Sequence, residues 1–92
     1  MITTSTEIPD NFVALKVFPN PVSEQLFIEA NLLENEIVNI SLVNIMGQTV
    51  KVDTASGTNI RTTIEVTELA AGTYFLRLET KEGAAIRKVV IF

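Results

Sequence analysis

The chain is 92 residues long, 47% hydrophobic, with seven basic and eleven acidic side chains, a net charge of −4, and neither histidine nor cysteine. That length bounds it to one domain, which buries only about 60–65% of its unfolded surface and so needs a well-filled core. The missing residue types exclude Ser-His-Asp and Cys-His catalysis, a disulfide framework and the commonest transition-metal ligands; the scattered cations form no stripe for phosphates, which excludes nucleic acid as an expected partner, and no apolar run nears the ~18 residues of a membrane span.

Residues 1–11 are rich in Thr, Ser, Glu, Pro and Asp without a sustained period, so they are expected to be a linker or frayed end, with the domain occupying residues 12–92. They lack the basic and apolar regions of a secretory signal peptide, so an exported protein would need its signal upstream of this fragment. Leu15–Phe18 is a short β-prone run stopped by Pro19-Asn20-Pro21, where two prolines remove backbone donors. Leu26, Ile28 and Ala30 alternate with Gln25, Phe27 and Glu29 as in a half-buried strand, followed by a polar connection over 31–35. Ile37–Ile45 is the longest β-rich run, with Val38, Ile40 and Leu42 on one face.

Asn44–Gly47 then fits a tight hairpin turn with glycine in the left-handed position, leading into a strand over 49–53. A polar loop over 55–59 precedes another strand over 60–66. Gly72 marks a corner after Leu69–Ala71, which has room for one helical or 3₁₀ turn, and feeds a strand in which Tyr74, Leu76 and Leu78 share a face. Lys81-Glu82-Gly83 turns the chain into a last strand over 85–92. About seven strands at this spacing predict an all-β, antiparallel β-sandwich.

Little here can do chemistry. Glu34 and Glu36 flank a loop, but without an Asp-x-Asp-x-Gly pattern they read as solvated charge rather than calcium ligands, and no metal or cofactor is expected. Asn39-Ile40-Ser41 matches a glycosylation sequon but falls inside a strand. Phe27 and Phe75 fall on the phase opposite to the core of their strands and are expected to be covered by loops or by the N-terminal segment, the alternative being an exposed docking patch.

Five blocks in order, Val17-Phe18-Pro19-Asn20-Pro21, Leu26-Phe27-Ile28, Ile40 to Val50, Leu69 to Leu78 and Lys88-Val89-Val90-Ile91-Phe92, resemble the C-terminal sorting domain of the type IX secretion system. The resemblance implies an immunoglobulin-like sandwich without catalytic activity. It implies a tail that directs an upstream cargo through the periplasm and across the outer membrane of Bacteroidetes-type bacteria to the cell surface or the medium. The implied partners are the outer-membrane translocon or its shuttle proteins and a sortase-like peptidase that removes the tail. By the same resemblance the recognition residues are Pro19, Asn20, Pro21, Gly47, Gly72, Tyr74, Arg87, Lys88, Val89, Val90, Ile91 and Phe92. Many members carry a further basic residue in the last positions, where this chain is wholly apolar from Val89 to Phe92. The alternative is a structural spacer or carbohydrate-binding module of a secreted enzyme; the absence of tryptophan and the single tyrosine count against sugar binding and leave the spacer role.

Overall fold

The computed structural model describes residues 8–92, so the linker reading of residues 1–7 lies outside the described residues. Five strands follow one another: β1 (Phe12–Phe18), β2 (Gln25–Asn44), β3 (Thr49–Glu65), β4 (Gly72–Thr80) and β5 (Gly83–Ile91). All pairings are antiparallel within one sheet, in the order β1-β2-β4-β5, with β3 also hydrogen-bonded to β2.

The expectation of seven strands is corrected to five. The stretches over 31–35 and 55–59 do not end strands; they are the bend of one long β2–β3 hairpin, in which Asn31 pairs with Asn59 and Glu36 with Gly57. Four β2 residues thus face a single β3 residue, and a ladder with such a surplus must bend. Most residues of both stretches are polar and exposed, Asn31, Glu34, Asn35, Ser56, Thr58 and Asn59 among them, which in a linear reading looks the same as a loop. The first half of β2 lies between β1 and the second half of β3, while its second half lies between β4 and the first half of β3. Thr62 Oγ1 donates to Asp53 at 2.9 Å, tying the two halves of β3 together across the bend.

Curling brings one face of every strand into a common core. Leu26, Ile28, Ala30 and Leu32 are buried along the first half of β2, and Val38, Ile40 and Leu42 along the second. The alternation keeps its phase across the bend because the buried positions stay even-numbered, so one period-2 pattern serves both halves. Ile60, Ile64 and Val66 close the core from β3 and the turn after it, Leu76 and Leu78 from β4, and Ala85, Val89 and Ile91 from β5. Each fully buried Leu or Ile contributes about 1.5–3 kcal/mol relative to exposure, the driving term of the fold.

Two further expectations are revised. Phe27 is not covered by a loop; it is 39% exposed on the outer face, where its ring stacks on Phe18 of the neighbouring strand at 5.7 Å between centroids. Phe75 is half-buried. Glu36 is not solvated charge either, being 8% exposed, with Oε2 accepting a 2.8 Å bond from Asn11 Nδ2.

Candidate functional site

The Pro19-Asn20-Pro21 block does more than stop β1. Both prolines follow cis peptide bonds, and the loop lies along the outer edge of β5. Asn20 donates through Nδ2 to the Lys88 carbonyl at 2.9 Å and accepts at Oδ1 from the Val90 amide at 3.0 Å. One carboxamide thereby satisfies an adjacent acceptor and donor on the strand edge, as a partner strand would. Val22 continues the pairing in parallel sense: its amide donates to the Val90 carbonyl at 2.8 Å, and its carbonyl accepts from the Phe92 amide at 3.0 Å. The final strand is therefore paired on both sides, with β4 on one and the proline loop on the other.

The register of β4 brings more of the sequence-nominated residues to this end. Gly72 pairs with Ile91 and Tyr74 with Val89, while Asn44 at the end of β2 pairs with Tyr74. Gly47 sits three residues past that last pair, in a turn organised by Asn44. The Asn44 side-chain carbonyl accepts from the Met46 and Gln48 amides at 2.9 and 3.0 Å, and its main-chain carbonyl accepts from the Gly47 amide at 3.0 Å. Sequence reasoning singled out the glycine and missed the asparagine, although an Asx residue opening a turn is a recognisable signal.

Exposure divides the nominated set. Pro19, Asn20, Pro21, Gly47, Gly72, Lys88 and Phe92 are exposed, Arg87 and Val90 are half-buried, and Tyr74, Val89 and Ile91 are inside. Tyr74 donates its hydroxyl to the Ala70 carbonyl at 2.6 Å, which pins the corner between β3 and β4. Arg87 reaches across the curl, its Nη2 donating to the Leu15 carbonyl of β1 at 3.3 Å. Beside the corner, Lys51 bonds the carboxylate of Glu68, and that hydrogen bond holds the exposed Glu68 below the usual carboxylate range.

Gly47 has φ +85° and Gly72 +152°, with no atom within 4 Å of where a Cβ would stand at either. A Cβ there would meet no clash, so the cost of substitution lies first in the backbone. Gly47→Val is expected to lower stability by about 1–3 kcal/mol, read as a drop in melting temperature. An unchanged melt would mean that the turn relaxes without cost.

A protein-family model described as "Secretion system C-terminal sorting domain" matches residues 16–92. Among solved structures, dimeric latent PorU from Porphyromonas gingivalis has a similar fold: TM-score 0.67, 17% identity, covering 84% of this chain and 9% of that one. The chain thus corresponds to a small fraction of that protein's length. A comparison with curated proteins finds no match.

Proposed function

The chain belongs to the family of secretion system C-terminal sorting domains, and on that premise we propose that it is a non-catalytic address label of type IX secretion. In this reading it carries a covalently attached upstream protein through the periplasm and across the outer membrane. A sortase-like peptidase then separates label from cargo, and the cargo remains at the cell surface or in the medium. The single observation that carries the reading is the family match, which runs from β1 to the last residue.

The geometry supports a division of labour within the nominated residues. Tyr74, Val89 and Ile91 act by shaping the domain, because their side chains are inside. The surface offered to the translocon is the docked loop Pro19-Asn20-Pro21 with Lys88 and Phe92 beside it; Phe92 is 72% exposed at the end of the described chain. Lys88 stands on a strand paired along both edges, and rigid features are recognised at low entropic cost. The immunoglobulin-like arrangement is supported by the Tyr74 bond to Ala70, which resembles the tyrosine corner of that fold.

Fusing residues 8–92 to a periplasm-targeted reporter tests the proposal in a bacterium with type IX secretion. The fusion should reach the surface or medium, whereas the reporter alone stays in the periplasm. The variant Lys88→Glu with Phe92→Ser changes only exposed side chains. It should melt like the parent and export several-fold less. Arg87 is left untouched, because its bond to β1 would confound recognition with folding. Periplasmic retention of the unaltered fusion would overturn the sorting reading and leave a spacer. Full export of the surface variant would remove Lys88 and Phe92 from the recognised surface.

A further inference from the structure

Of the sheet's three outer edges, two are covered and one is not. Asn20 and Val22 bond the outer edge of β5 at Lys88 and Val90, and Arg87 reaches over β1 through its bond to the Leu15 carbonyl. β3 pairs with β2 alone. Among the described residues no turn or loop sends a main-chain hydrogen bond to Thr49–Glu65, so the far edge of a 17-residue strand is unpaired. Such an edge is a template for a further strand. Val52 stands on it 76% exposed, an apolar side chain with nothing over it.

We propose that the first half of β3 pairs, antiparallel, with the same strand of a second copy of this chain, about a twofold axis at Val52. In that register Lys51 of each copy faces Asp53 of the other, Val52 faces Val52, Val50 faces Thr54 and Thr49 faces Ala55. Charge complementarity selects the register. Moving the axis to Lys51 or to Asp53 sets like charges opposite each other, and an axis between residues sets Val52 against a charge. The ladder to β2 fixes the faces: Lys51 and Asp53 lie opposite the buried Leu42 and Ile40, at the rim of the core side, and Val52 lies opposite Ser41 on the outer side. Lys51 already holds Glu68, and Asp53 already accepts from the Thr54 amide and the Thr62 hydroxyl. An ammonium has three donors and a carboxylate about four acceptor positions, so both have capacity for a partner. The second half of β3 is the rival, because Arg61 and Glu65 match about Thr63. There, however, Gln25 already bonds Glu65 and the centre is a polar residue that buries no apolar group. A twofold contact of this kind uses one patch twice and closes on itself. The strands run in opposite directions, so the ends bearing Asn20, Lys88 and Phe92 point away from each other and stay uncovered. The pairing does not depend on the export reading.

Sedimentation equilibrium of the 92-residue chain tests this. Over about 10 µM to about 1 mM the mass should rise towards twice that of the monomer, since a contact this small associates only when concentrated. Val52→Lys alters an exposed side chain alone, so it should melt like the parent and stay monomeric throughout. Lys51→Glu and Asp53→Lys each set like charges across the axis, and each should be monomeric. Their equimolar mixture restores both opposite-charge pairs and should associate at least as strongly as the parent, a rescue that a merely structural role of either residue does not produce. Thr63→Lys should dimerise as the parent does. A parent that is monomeric at the highest concentration overturns the pairing, as does association that survives Val52→Lys or a mixture that fails to recover. Association lost in Thr63→Lys but kept in Val52→Lys would move the contact to the other half of β3 and equally overturn it.

Discussion

Deletion of Val89–Phe92 is expected to abolish cooperative folding. Val89 is fully buried and Ile91 nearly so, and losing two such side chains costs about 1.5–3 kcal/mol each in transfer, with a cavity term added. The deletion also strips the pairing of Gly72 with Ile91 and Tyr74 with Val89. It frees Asn20 of its bond to the Val90 amide and Val22 of both its backbone partners. A domain of this size has about 5–15 kcal/mol in total, and the summed loss approaches or exceeds it. Circular dichroism should show no cooperative melt and NMR a collapse of amide dispersion. A sharp transition within about 5 °C of the parent would show that the last strand is an appendage. Export that fails in this deletion therefore reports folding before it reports recognition, which is why exposed-residue variants carry the functional test.

Side-chain alternation was legible in the sequence wherever one strand face is buried. Leu26-Ile28-Ala30, Val38-Ile40-Leu42 and Tyr74-Leu76-Leu78 are inside as their period predicts, and the Asn44–Gly47 turn joins β2 to β3 with Gly47 at positive φ. What the linear pattern hid are features defined by distant partners. Asn31 and Asn59 look like loop residues until they are seen to pair with each other. Pro19-Asn20-Pro21 reads as a terminator because its use as an edge strand depends on Lys88 and Val90, about seventy residues away. The same holds for the nominated surface: the period places Tyr74 in the core, yet only the structure shows that Asn20 seals the strand on which Lys88 is displayed.

Asn11 is the clearest case of a residue whose importance has no local signal. It stands in a polar stretch and reads as linker, yet its amide reaches Glu36 and Thr80, 25 and 69 residues on. Its main-chain carbonyl accepts from the Leu33 amide at 3.0 Å, and the Phe12 amide donates back to the Pro9 carbonyl. Asn11→Ala leaves a buried carboxylate without its donor. Uncompensated buried charge is costly, so the loss should be about 3 kcal/mol or more, a drop in melting temperature of well over 10 °C for a domain of this length. Thr80 suffers less, because its hydroxyl retains the Gly83 carbonyl and the Glu82 amide. The double variant Asn11→Leu with Glu36→Leu removes both partners and fills the space with apolar atoms, so it should recover most of the loss. A chain beginning at Phe12 should melt low like Asn11→Ala, and one beginning at Ile8 like the parent. If Asn11→Ala melts within about 2 °C of the parent, the Glu36 carboxylate is satisfied by another route, and the domain's stable part begins at β1 instead of at the residue before it.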